Sequence, residues 1–351
     1  MFGRTKSLIG LDIGSSAVKA VELKAAGKGY QVTAFGVAPL PPDSIVDGAI
    51  IRAGAVTAAI RQAFEGRPFK SKEVCASLSG NAVIVKKIQL PTMTETELAN
   101  SILWEAEQHI PFDIQDVNID YQVLEPGKNQ PAGTMDVLLV AAKRDKIDDY
   151  TSVIVQAGRT PSVVDVDAFA LQNAYEANYG TDDPSVVVLL NAGASAVNVN
   201  IVHKGQSIFT RDISMGGNAY TDALQKELGL DHEAAEQLKR GTPVDGATYE
   251  DAQPILHAVS ENLLFEVQKT FDFFKATAES GRIDKIVVSG GASRVDGFRQ
   301  MLQTKFAVAV EELNPFQTVA LDPALTGERA SDVAASAAVA VGLALRKAGD
   351  R

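Results

Sequence analysis

Two short stretches of this 351-residue chain concentrate the residue types that hold an anion. The first, GLDIGSSAVKAV from Gly10 to Val21, sets Asp12, Gly14, Ser15, Ser16 and Lys19 around one turn. The second, LLNAGASAVNVN from Leu189 to Asn200, places Asn191, Gly193, Ala194 and Ser195 in matching positions. Aligned, Leu11 falls on Leu190, Gly14 on Gly193, and Ser16-Ala17-Val18 on Ser195-Ala196-Val197. Backbone N–H groups of a tight turn converge on an anion, and glycine permits its close approach. The serines add hydroxyls, Lys19 a point charge, and Asp12 an acceptor-only carboxylate suited to the water shell of Mg²⁺. Two such turns facing each other across a cleft can grip the phosphates of one nucleotide from both sides.

The elements that must carry these turns are strands. An apolar run from Leu8 to Leu11 enters the first turn, and Ala17 to Leu23 leaves it with the partial alternation of a strand. A hairpin is predicted, not a strand-to-helix turn, which excludes the P-loop and dinucleotide-fold readings. Val186 to Leu190 and Ala196 to Val202 frame the second turn in the same way. Two similar hairpins predict two structurally related halves.

Between them lies a segment with its own pattern. A strand is predicted over Ala82 to Leu90, then a capping box at Thr94 and Glu97. Leu98, Ile102, Ala106 and Ile110 recur along one helical face, and Pro111 ends that helix. Strands follow at Val117 to Leu124 and Met135 to Ala142, with Glu125 to Gly133 as an exposed hairpin tip, then a helix from Asp145 to Gln156. The second half reads as helices over Thr221 to Leu228, His232 to Lys239 behind the cap Asp231, and Tyr249 to Ala278. A short strand, Ile286 to Val288, then runs into Ser289-Gly290-Gly291-Ala292-Ser293, and a closing helix covers Ser331 to Lys347.

The net charge of −11 argues against sequence-independent nucleic-acid binding and against electrostatic adhesion to an anionic membrane. Cys75 is the sole cysteine, so no intrachain disulfide forms. The basic start, Met1 to Ser7, is followed by an apolar run that breaks at Asp12, so no signal peptide is read and a cytoplasmic protein is expected. The four histidines are scattered without metal-ligand spacing.

The segment GLDIGSSAVK resembles the first phosphate loop of the actin, Hsp70 and sugar-kinase ATPase superfamily. LLNAGASAVNV is similar to its second phosphate loop, and VVSGGASRVDGF, Val287 to Phe298, to its adenosine loop. The inserted unit resembles the extra subdomain of FtsA, the division protein. The segment PTMTETELANSILWEAEQHIPFDIQDVNIDYQVL, Pro91 to Leu124, resembles a hallmark of the PilM family of type IV pilus assembly proteins. The resemblance implies an α/β fold of duplicated actin-like (ribonuclease H-like) domains with an inserted FtsA-type α+β subdomain. It divides the chain into 1–79, an insert at 80–158, a return through 159–183 and 331–351, and a second half at 184–330 with a helical part near 222–280.

By the same resemblance, ATP or ADP with Mg²⁺ is the cofactor, and Asp12, Gly14, Ser15, Ser16 and Lys19 meet phosphate, Asp12 holding Mg²⁺ through water. Asn191, Gly193, Ala194 and Ser195 form the second phosphate turn. Gly216, Gly217, Asn218, Glu236 and Lys239 meet the nucleoside, and Ser289, Gly290, Gly291 and Ser293 border the adenine. Asp167 stands where superfamily ATPases keep a residue that orients the attacking water. The implied partner is the cytoplasmic N-terminal peptide of PilN, within a PilN, PilO and PilP inner-membrane complex. Contact with pilus motor ATPases and self-association into a ring are implied as well, with no nucleic acid and no direct membrane insertion. The protein would then be peripheral at the inner membrane through PilN.

Two rival readings are an FtsA-like membrane-anchored filament and a sugar-kinase-type phosphotransferase. The alanine-rich tail VAASAAVAVGLALRKAGDR suits internal packing better than insertion into lipid, which weighs against the first. Asn191 weighs against the second. Active relatives usually carry an acid in this loop, and asparagine keeps its size but removes the charge. Nucleotide binding is expected to persist, with hydrolysis slowed or absent.

Overall fold

The computed structural model describes residues 7–27, 29–124, 131–278, 281–321 and 329–350. The chain opens with β1 (Ile9–Ile13), β2 (Ala17–Ala26) and β3 (Gly29–Pro39), then the short pair β4 (Ile45–Val46) and β5 (Ala49–Ile50). Helix α1 (Ala53–Phe64) and strand β6 (Glu73–Leu78) follow. The insert contributes β7 (Val83–Pro91), α2 (Glu95–Glu107), β8 (Val117–Val123) and β9 (Thr134–Lys143), and α3 (Arg144–Gln156), β10 (Thr160–Val166) and α4 (Asp167–Tyr179) return to the first half. The second half runs β11 (Val186–Ala192), β12 (Val197–His203), β13 (Gln206–Ile213), α5 (Gly217–Leu228), α6 (His232–Lys239), α7 (Tyr249–Thr277), β14 (Lys285–Ser289), α8 (Phe298–Phe306) and β15 (Ala309–Glu312). Strand β16 (Ala320–Leu321) and helix α9 (Arg329–Ala344) close the chain.

The duplication predicted from the two hairpins is present in the sheets. The first sheet has the order β10-β6-β1-β2-β3-β16 and the second β15-β14-β11-β12-β13. In each, a three-strand antiparallel meander continues into two parallel strands. Strand β11, VVVLLNA, lies between β12 and β14 and is buried on both faces, as its continuous run of branched residues requires. Strand β3, near the sheet edge, instead alternates buried and half-buried positions.

Helices α4 and α9 fill the space between the two sheets. Ala174 of α4 and Ala337, Ala340 and Val341 of α9 share a core with Val21, Leu23 and Val32 of the first sheet. Leu171 and Ala338 pack on Val187, Leu189 and Val287 of the second. Small side chains let the two helices lie against both sheets, so Ala337 to Ala344 of the alanine-rich tail is interior packing. Among the described residues no helix is long and apolar enough to cross a membrane.

The insert builds its own antiparallel sheet, β7-β9-β8, on which α2 lays Leu98, Ile102 and Ala106, with Ile110 just beyond the helix. Thr94 and Glu97 form the capping box expected at its start. Helix α3 falls within 80–158 yet packs elsewhere. Its Tyr150, Val153 and Ile154 join α1 and β6 in the first half's core, so the insert's own core ends at β9. The expected hairpin tip at Glu125–Gly133 lies largely outside the described residues. Helix α5 begins four residues before Thr221, because Gly217 and Asn218 donate their N–H groups to Gly193 O and Ala194 O and so take up the helix's first turn.

Candidate nucleotide-binding cleft

The β1–β2 and β11–β12 turns face each other across a cleft of ≈ 700 Å³, a size that suits a nucleotide. Each turn closes in the same way, Gly14 N–H donating to Ala17 O and Gly193 N–H to Ala196 O. The Ser15 and Ser195 hydroxyls meet at 2.6 Å, joining the two turns. The N–H groups of Ser15, Ser16, Ala194 and Ser195 have no hydrogen-bond partner among the described residues. Four amide donors therefore remain at the place where the two turns converge, an anion site built from backbone.

Strand register determines which side chains accompany them. In the first hairpin Asp12 pairs with Lys19, and Lys19 Nζ donates to Asp12 Oδ2 at 2.9 Å. In the second hairpin the equivalent pair is Asn191 and Asn198, and Asn191 Nδ2 donates to Asn198 Oδ1 at 3.1 Å. The exchange of Asp for Asn between the copies is thus matched by an exchange of Lys for Asn opposite it. An ion pair in one hairpin has become an amide pair in the other.

Asp167 begins α4 and lies on the cleft wall, where Ser77 Oγ donates to it. Burial, and then the facing Asp12 carboxylate, push the Asp167 carboxyl up to about 6, against hydrogen bonds from Ser77 and Ser79 that lower it. Tyr150 closes the wall below, its hydroxyl donating to Gly48 O at 3.3 Å.

On the opposite side, Glu236 and Lys239 of α6 form an ion pair that also takes in Thr221 Oγ1. Lys239 Nζ reaches Gly217 O at 3.2 Å as well, fixing α6 against the start of α5. Burial, the largest single influence, raises the Glu236 carboxyl, but Lys239, Thr221 and Arg240 together outweigh it and hold the group below its ordinary value.

All the expected site residues line this cleft except Gly216, Ser289 and Ser293, which lie just behind it. A Cβ on Gly216 would sit 2.6 Å from Gly193 O, so glycine there lets α5 seat on the second turn. Ser289 Oγ donates to Asn191 Oδ1 at 3.2 Å and Ser293 Oγ to Gly290 O at 2.7 Å, so these serines shape the loop from inside the fold. Gly290 has φ +85°, and a Cβ there would lie 2.2 Å from Ala192 O.

Polar residues of the cleft not singled out from sequence include Asn198, Asp212 and Arg294. The alternation Val197-Asn198-Val199-Asn200 in a strand whose apolar positions are buried is the signal for the first. Asn200, fully buried, donates to Ala168 O and Gln172 Oε1 and so ties β12 to α4. Among the described residues no three His, Cys, Asp or Glu side chains gather into a metal cage. Mg²⁺ at this site would rest on one carboxylate and the phosphates themselves, a donor set that Asp12 fits.

Residues 10–348 match the profile of the family described as Type IV pilus assembly protein PilM. The chain belongs to the PilM family. This PilM-family fold superposes on a solved PilM–PilN type IV pilus biogenesis complex with a TM-score of 0.86 and 28% identity, covering 98% of this chain and 99% of the other. It is also similar to the cell division protein FtsA of Streptococcus pneumoniae serotype 2, 24% identical across 90% of this chain and 77% of the relative. MreB5 of Spiroplasma citri bound to AMPPNP shares the fold, with a TM-score of 0.51 and 13% identity over 97% and 95% of the two chains.

Proposed function

We propose that this protein is a nucleotide-binding scaffold of type IV pilus assembly that recruits PilN. The observation that carries the reading is the full-length likeness to the PilM–PilN complex, at 28% identity over 98% of the chain. On this reading the short cytoplasmic N-terminal tail of PilN is the ligand, held beside the inserted sheet, and the protein sits in the cytoplasm at the inner membrane through it. PilO, PilP and motor ATPases then belong to the wider assembly, and a ring is the higher-order form.

The cleft supports a nucleotide through its geometry. The four unpartnered turn amides face phosphate, and Lys19 exchanges its contact with Asp12 for one with phosphate oxygen when Mg²⁺ reaches Asp12. Glycines at 216, 217, 290 and 291 leave room on the nucleoside side. Hydrolysis is slow on this account. Asn191 is uncharged, and the nearest acid suited to orient water, Asp167, already accepts hydrogen bonds from Ser77 and Ser79. Binding to the folded state alone stabilises the folded chain, by about 2.7 kcal/mol at a hundredfold excess over Kd.

Titrating a synthetic PilN N-terminal peptide into the full chain, with and without Mg-ATP, tests this. One saturable site is expected, with higher affinity when Mg-ATP is present. A flat titration in both conditions would refute the scaffold reading. Equal affinity in both would refute the coupling to nucleotide.

A further inference from the structure

The amide pair of the second hairpin does not end at Asn198. Asn198 Nδ2 donates to Asp212 Oδ1 at 2.8 Å, and Asp212 Oδ2 accepts the backbone N–H of Gly80. Gly80 opens the short 3₁₀ turn from which β7, the first strand of the insert, departs. At the other end, Ser289 Oγ donates to Asn191 Oδ1, two residues before the second phosphate turn at Gly193. The register Asn191–Asn198–Asp212 puts the three side chains in one row across β11, β12 and β13. An unbroken line of hydrogen bonds thus joins the phosphate cleft to the root of the insert.

This line has a direction. Asp212, an acceptor only, takes one bond from Gly80 and one from Asn198. Asn198 has then committed its NH₂ to Asp212, which leaves its oxygen facing Asn191. Residue 191 must therefore donate, and a carboxylate cannot. If Asn198 turned over to serve a carboxylate at 191, its oxygen would face the Asp212 carboxylate. Either arrangement leaves an acceptor without a donor inside the fold.

We propose that Asn191, Asn198 and Asp212 are positioning residues that couple the second phosphate turn to the inserted sheet, and that the amide at 191 is set by the direction of this relay. The coupling rests on the nucleotide reading above; the directionality does not. The loop's missing carboxylate is displaced to Asp212, two strands away, where it holds the insert.

Amide hydrogen exchange at Gly80 and along β7 tests the relay on the full chain, with calorimetry of Mg-AMPPNP binding alongside. Without nucleotide, Asn191→Asp speeds exchange at Gly80 about tenfold, the value of roughly one buried hydrogen bond. Asp212→Asn stays within about threefold of wild type, because its amide still accepts from Gly80 while Asn198 and Asn191 turn over to donate towards Asn191 and Ser289. The double variant restores every donor to an acceptor: Gly80 to the new amide oxygen, that amide to Asn198, and Asn198 to the new carboxylate. It returns Gly80 to within about threefold of wild type, a coupling that additive structural damage does not produce. Exchange in the double variant as fast as in Asn191→Asp alone overturns the relay.

With saturating Mg-AMPPNP, wild type slows exchange at Gly80 and β7. Asn198→Ala, which cuts the row at its middle whatever its direction, loses that response when compared at saturation set by its own calorimetric Kd. Unchanged exchange in nucleotide-saturated wild type overturns the coupling. A flat calorimetric trace overturns the nucleotide reading instead, and the nucleotide-free variants still decide the relay.

Discussion

Replacing Gly290 by alanine is expected to cost about 3–5 kcal/mol of stability, the sum of a backbone conformation open to glycine alone and a core collision. The residue has φ +85° and ψ 156°, and the added methyl would lie 2.2 Å from Ala192 O and 2.8 Å from Asn191 Oδ1. Neither atom is free to yield. Ala192 is buried at the end of β11, and Asn191 is held by both Ser289 and Asn198. Relief requires the Gly290–Gly291 loop to move away from the β11–β12 turn, which widens that side of the cleft. Gly291 is the control, because a methyl there meets nothing within 4 Å and its φ is not positive. Gly291→Ala should change stability by less than about 1 kcal/mol. Urea midpoints of the two variants measure the contrast, and equal midpoints would refute it.

The second large effect has the opposite sign. Asp167→Asn is expected to stabilise the chain at pH 7 by about 2–3 kcal/mol. The folded carboxyl titrates near 6, against 3.8 for the ordinary group. Between those values the folded protein holds a proton that the unfolded chain has released, so stability falls as pH rises from about 4 to 6. Above 6 both states are ionised and the full penalty remains, with Asp12 facing the buried charge. An amide still accepts from Ser77 and carries no charge, so the variant escapes the penalty and loses that segment of the pH profile. Denaturation from pH 4 to pH 7 measures the gap between the proteins, which should be near zero at the acid end. A gap that is constant with pH would show that burial of the Asp167 charge is not its origin. Strongly shifted groups cluster at functional sites, and Asp167 lines the cleft.

Sequence revealed the hairpins, the insert's helix face and its capping box because each is local. Gly14 and Gly193 announce turns, and Leu98, Ile102, Ala106 and Ile110 announce a buried stripe. What it could not reveal depends on pairing between strands. Lys19 lies opposite Asp12, and Asn198 opposite Asn191, only once the register is known, so Asn191 read alone looks like a lost charge. Beside Asn198 it is half of an exchanged pair. Asp212 belongs to the next strand again, and nothing in Thr210-Arg211-Asp212 marks it as a cleft residue. The start of α5 was hidden for a related reason. Gly216-Gly217 reads as a breaker, and only the carbonyls of Gly193 and Ala194 make it the first turn of a helix. Similarly, α3 shows an apolar face in sequence but not which core that face joins.

On the proposed function, this PilM-family chain holds a nucleotide between its two hairpins without turning it over at an appreciable rate. Titration of Mg-ATP into nucleotide-free protein, with released phosphate assayed in the same samples, tests both halves at once. One site per chain is expected, with Kd on the order of micromolar, about −8 kcal/mol, and far less than one equivalent of phosphate released during the titration. No saturable binding up to millimolar Mg-ATP, or multiple turnovers within that time, would contradict the account.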